Sequence, residues 1–128
     1  MYTSFIVAVA DFVSRRSFRA QKAFLSVLRT FHRVNPMGLS STEEFRWLAD
    51  CRENLCVRDP RCAAVQGCLT RSLSIAIAAT FRGVNFAWVT GFSPSPFYGH
   101  AWIEHDGSPV GESLDVKEFN RVAVVKFA

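Results

Sequence analysis

What the chain lacks narrows it first. It has no low-complexity tract and no internal repeat, and only 7 Gly and 5 Pro among 128 residues, so neither a disordered linker nor a repeat array fits. The cysteines at 51, 56, 62 and 68 lack the paired C-x2-C knuckles of a zinc site, and no metal or other cofactor is expected. The opening "MYTSFIVAVADFV" has no basic start, and Asp11 interrupts its apolar run. It reads as neither a secretory signal nor a bilayer span, so the expected location is cytoplasmic, with reduced thiols and no membrane partner. Between Phe12 and Thr42 there is no acid at all, against five Arg and one Lys, within a net charge of +4. Such a segment is a solvated helix face or a docking surface for an acidic partner or peptide. Its aromatics recur at helical spacing and not as a stacking series, so nucleic acid is not an expected partner.

What is present is enough for one core. With 49% hydrophobic residues, a chain of this length makes a single domain. Residues 1–40 are expected to form a basic helical segment suited to partner docking, and 41–128 the main body. In 17–33, Phe24, Val27, Leu28 and Phe31 follow helical spacing, with Lys22, Arg29 and Arg33 on another face. "NPMG" at 35–38 breaks that helix, and Ser41 with Glu44 suggests a capping box opening a second helix from about Thr42 to about Asn54. "CLTRSLSIAIAATFRG" is expected to be a buried helix with Cys68 in its first turn. Leu69, Leu73, Ala76, Ile77 and Thr80 line one side, and Gly83 closes it. From Val84 the pattern changes to strands, "VNFAWVTGF", "HAWIEH", "SPVGE" and "RVAVVKF", with Phe97 and Tyr98 in a loop between the first two. Helices followed by a strand meander give an α+β fold, an antiparallel sheet with helices packed on it.

Two residues carry the chemistry. A cysteine at a helix N-terminus faces unpaired backbone N–H groups, which favours the thiolate. The other three cysteines have no such placement and read as structural. His100 heads a strand on which His100, Trp102 and Glu104 share one face. Glu112 is its candidate partner, and the turn decides the pairing. A two-residue "DG" loop pairs His105 with Ser108 and puts His100 and Glu112 on opposite faces. A three-residue "HDG" loop pairs Glu104 with Ser108 and sets His100 directly opposite Glu112, and on this reading only that loop makes the carboxylate useful.

At these residues the sequence resembles a known family. "CLTRSLSIAIAATFRG", the strand end "VTGF" and "PFYGHAWIEHDGSPVGESLDV" resemble the leader peptidases of lasso-peptide biosynthesis, over roughly residues 66–128. The resemblance implies a transglutaminase-like fold related to papain-type cysteine proteases, and a Cys, His, Asp triad. Cys68 and His100 match its first two members. Glu112 stands where the family normally has Asp, with Asp115 as the alternative third member. The implied reaction is removal of the leader from a ribosomally made lasso precursor peptide, ahead of an ATP-dependent macrolactam cyclase. The first 65 residues read as helices, so a stand-alone peptidase with a separate leader-recognition protein is expected. The basic helix near 15–33 is the candidate contact for that protein or for the leader.

Within that reading the Cys68 backbone N–H forms part of an oxyanion hole. Gln66 is a candidate second donor, with a solvated loop residue as the plain alternative. Phe97, Tyr98 and Trp102 are candidates for the peptide cleft, Trp102 also for shielding the His and carboxylate contact. Arg71 is expected in a helix-start ion pair and Ser72 as a close-packed small residue. A catalytically silent peptide-binding scaffold and acyl transfer to an amine are the competing functions.

Overall fold

The computed structural model describes residues 2–33, 36, 38–64, 67–94, 97–112 and 116–128, with Tyr2, Phe97 and Lys117 as backbone only. Gln66, Asp115 and, in the "NPMG" break, Asn35 and Met37 lie outside the described residues.

Among the described residues five helices precede the sheet: α1 (Tyr2–Ser14), α2 (Phe18–Arg29), α3 (Ser41–Arg58), α4 (Pro60–Ala63) and α5 (Cys68–Arg82). The strands are β1 (Phe86–Pro94), β2 (Phe97–His105), β3 (Ser108–Pro109) and β4 (Asn120–Phe127), with a 3-10 turn at Val116–Glu118. The fold is α+β, helices packed on a four-stranded antiparallel sheet, as the order of patterns predicted. No helix among the described residues is long and apolar enough to cross a membrane.

The organising element is α5. Nearly every residue from Thr70 to Thr80 is buried, so its apolar face is wider than the single stripe expected from the sequence. Its buried hydroxyls are satisfied along the helix: Ser74 Oγ donates to Thr70 O (2.7 Å) and Thr80 Oγ1 to Ala76 O (2.7 Å). Ser74, Ala76 and Ala79 keep the surface shallow enough for neighbours to approach. Gly83 ends it at φ +73°, where a Cβ would strike the Pro36 ring. On one side α1 contributes Val7, Ala10 and Val13 to the core; on the other the sheet contributes Phe86, Trp88, Ala101, Ile103 and Phe127. The opposite sheet face carries a smaller cluster of Val89, Trp102 and Val116 with Phe119 against it.

Several local expectations shift. In α2 the buried positions are Gln21, Leu25 and Leu28, while Val27 and Phe31 are 60% and 62% exposed. The core-facing stripe is thus rotated from the predicted one, because Gln21 turns inward to donate to the Ser14 and Arg16 carbonyls at the α1 to α2 corner. The second helix is capped by Ser40, not Ser41, with Glu43 completing the capping box, and it runs on to Arg58. Phe97 and Tyr98 lie in β2, paired with Pro94 and Ser93, and not in a loop. The sheet is not a plain meander. Its order is β3-β2-β1-β4, so the last strand crosses to the far edge and pairs with β1.

The hairpin departs most instructively. His105 pairs with Ser108 and Glu104 with Pro109, the two-residue loop. Asp106 (φ +50°) and Gly107 (φ +81°) both adopt positive φ, as a type I′ turn requires, and that turn matches the natural strand twist. Face parity alone would then separate His100 from Glu112. Instead the ladder stops: Val110 N still donates to Ile103 O (2.9 Å), but Gly111 turns at φ +66° and swings Glu112 out of strand register. The carboxylate reaches the histidine by leaving the sheet.

Candidate active site

Cys68 is the first residue of α5, following Gly67. A Cβ on Gly67 would lie 2.3 Å from Arg61 O, so the bare backbone lets the α4 turn close against the helix start. The first turn of a helix leaves its N–H groups without intrahelical acceptors, and the Cys68 N–H is among them. Its sulfur shares a cleft with His100, which sits on β2 opposite Gly91 of β1.

The two ring nitrogens of His100 have different surroundings. Nε2 donates to Glu112 Oε1 at 2.5 Å, between side chains only 4% and 5% exposed. Nδ1 is buried without a well-aligned hydrogen bond. With Nε2 committed to the carboxylate, Nδ1 is the nitrogen left for the Cys68 thiol. The two residues line the same cleft, close enough for each to shift the other's proton affinity. Burial works against ionisation of Cys68, but the hydrogen bond to His100, the Ala101 backbone N–H, and the charges of His100 and Arg71 together hold the thiol below its ordinary value. Burial likewise works against the imidazolium, yet hydrogen bonds to Cys68 and Glu112, reinforced by their charge, push His100 from 6.5 up to about 9. Both shifts favour the same state, a thiolate beside an imidazolium.

The thiols of Cys51 and Cys62 are not equivalent to that of Cys68. Burial, helped by Cys62, pushes Cys51 up to about 12. Burial also raises Cys62, and nearby Asp59 and Cys56 add to it.

An aromatic cage fixes the imidazole. Trp102 stacks on it at 5.8 Å and 19°, Tyr98 lies tilted at 5.9 Å, and Phe119 meets it edge-on at 6.2 Å. Tyr98 is 39% exposed and half open to a ligand. Trp102 is 1% exposed, so it braces the histidine instead of lining a substrate subsite, which corrects the cleft role expected of it. Its Nε1 donates to Glu104 Oε2 (2.7 Å), and Arg121 of β4 holds both oxygens of Glu104 at 3.0 and 2.7 Å. Phe119 and Arg121 went unnoticed in the sequence. Both reach this face only because the chain crosses from β3 to the far edge of the sheet. Arg71 is also placed differently: its Nη1 donates to the Cys62 carbonyl (2.8 Å). Ser72 accepts from Trp88 Nε1 (3.1 Å), a close-packed position as expected.

The cleft holding Cys68 and His100 has a volume of about 510 Å³, and Phe18 and Gln21 of α2, Leu69 of α5 and Val122 of β4 form its walls. A larger apolar cavity of about 740 Å³ lies among α1, α2 and α5, lined by Phe5, Val9, Phe24 and Phe81, away from any nucleophile. The smaller cleft is the chemically equipped one. Among the described residues no cluster of His, Cys, Asp or Glu could hold a metal ion.

A helix-borne cysteine, a strand-borne histidine and a carboxylate on the following turn form a nucleophile, its base and the group that orients the base. No curated protein and no solved structure matches the chain significantly. A family model does, over residues 8–124, and that span takes in all three residues together with most of α1 and all of α2. The chain belongs to the transglutaminase-like superfamily, which includes cysteine peptidases and acyltransferases.

Proposed function

We propose that the chain is a cysteine peptidase that removes the leader from a ribosomally synthesised lasso precursor peptide. It acts with a separate leader-recognition protein and ahead of an ATP-dependent macrolactam cyclase. The observation that carries the catalytic part is His100, held by Glu112 on one nitrogen while the other is left for Cys68. The leader role rests on the C-L-x-R-S and P-F-x-x-H-A-W-x-E resemblance. The basic stretch before residue 40, whose α2 also walls the cleft, is the docking surface in this reading.

The steps follow from the charges. The Cys68 thiolate attacks the scissile carbonyl, and the oxyanion that develops is met by the Cys68 backbone N–H at the helix start. The imidazolium of His100 then gives its proton to the departing amine as the C–N bond breaks, leaving a thioester to the leader. Neutral His100 takes a proton from water as the hydroxide adds to the thioester, and collapse of the adduct expels the Cys68 thiolate and frees the leader acid, which ionises to the carboxylate in water. Glu112 keeps Nε2 as the donor throughout and stabilises the ring whenever it is positive.

The test is the native chain incubated with precursor peptide and leader-recognition protein, read by mass spectrometry. Free leader acid and a core with a free amine support the proposal. Intact precursor while both proteins bind it favours a silent scaffold, and a leader-amine conjugate favours acyl transfer.

A further inference from the structure

Glu112 sits on no regular element. The ladder has ended with the Val110 N–H, Gly111 has turned the chain, and the carboxylate stands on a side chain one methylene longer than Asp. Each extra torsion must be frozen to aim an oxygen at the ring, and the backbone there offers no strand pairing to do it. A second restraint is present in α3. Arg52 Nε lies 3.7 Å from Glu112 Oε2, the oxygen that His100 does not use. That Nε is buried and makes no hydrogen bond of its own, an unfavourable state unless an acceptor comes to it. Arg71, the other cation lining this enclosed space, already spends Nη1 on the Cys62 carbonyl. Gly111 makes the approach feasible: a Cβ there would lie 2.9 Å from Arg52 Cδ and push the guanidinium away.

We infer that Arg52 is a positioning residue, holding the second oxygen of Glu112 so that the first is aimed at His100 Nε2. This rests on Cys68 and His100 being the reacting pair. It also accounts for Glu in place of Asp, since the longer side chain is gripped from both sides. Among the described residues, the charged groups facing the histidine and its carboxylate are Cys68 and Arg71 from α5 and Arg52 from α3, while Glu104 on β2 is turned to Arg121.

The test follows carboxymethylation of Cys68 by iodoacetate against pH, with peptide mapping to separate it from the other thiols. This anionic reagent reacts best while His100 is protonated, so the rate falls as the ring loses its proton, and no peptide substrate is needed. In Arg52→Met a released Glu112 lets that fall move to lower pH by about one unit or more, and Arg52→Lys restores part of it. In a Glu112→Gln background Arg52→Met adds nothing. The opposite outcome, a fall unmoved or moved to higher pH as loss of a bare positive charge would give, overturns the inference. So does an effect that persists in the Gln background. Should Arg52→Met fail to fold, the Lys variant carries the test through a smaller shift in the same direction. A native Cys68 that never reacts as a thiolate near neutral pH would instead sink the peptidase reading itself.

Discussion

Cys51, Cys62 and Cys68 meet different electrical environments, and of these three only Cys68 has surroundings that favour the anion. Burial is the leading influence at Cys51, Cys62 and Cys68 alike; what differs at Cys68 is an imidazole, a backbone N–H and Arg71 close enough to overcome it. At neutral pH a limiting alkylating reagent should therefore modify Cys68 well before Cys51, whose thiol is pushed up to about 12. Peptide mapping of the first equivalent incorporated checks this. Cys68→Ala should abolish cleavage, by about 10⁴-fold or more, and Glu112→Gln should lower kcat steeply with little change in KM. A Glu112→Gln variant that cleaves at the native rate would show that the carboxylate is a bystander. The cysteine and histidine were legible in the sequence because each sits at a marked place, a helix start and a strand head. Arg52 was not, since nothing along the chain ties residue 52 to residue 112.

At the scale of the elements, the site depends on a helix start and a turn. Pattern alone leaves the hairpin open between two loops, and only the three-residue one keeps His100 and Glu112 on one face of a continuous ladder. The ladder is not continuous. Gly111 leaves it after Val110, and the favoured type I′ turn at Asp106 and Gly107 is compatible with the contact after all. Gly111→Ala should be costly twice over, through left-handed strain of about 1–2 kcal/mol and through the displaced Arg52 side chain. Gly107→Ala should incur similar strain, but no atom stands within 4 Å of its added Cβ. Both variants should therefore lose stability in denaturant melts, Gly111→Ala the more, while only Gly111→Ala loses most of its activity. Equal loss of activity in both would mean that Gly111 serves the fold alone. The helices were easier to read than the strands. Ser40 and Glu43 cap α3 within one residue of the expected box, and Gly83 ends α5 where it was placed. The crossover of β4 had no signature, because β4 reads the same whichever neighbour it pairs with.

For the whole molecule, the charged pair couples folding to pH. The folded value of His100 lies above its ordinary one, so its contribution to stability is fully present below about pH 6.5 and is lost as pH rises through about 9. Cys68 has the opposite slope, contributing above the ordinary thiol range and losing that contribution as pH falls through its lowered folded value. In a Cys68→Ser background only the histidine contribution remains. The Tm difference between that variant and Cys68→Ser/His100→Gln should then shrink from pH 6.5 upward, and a difference that grows with pH would contradict the assignment.

The central claim is that this fold presents one ionised sulfur to a held imidazolium. Its most direct test is the ultraviolet absorbance of the Cys68 thiolate against pH, as the difference between the native chain and Cys68→Ser. The account predicts a titration clearly below the free-thiol value of about 8.5, with a second inflection near 9 as His100 loses its proton. A single titration at or above the free-thiol value would contradict it.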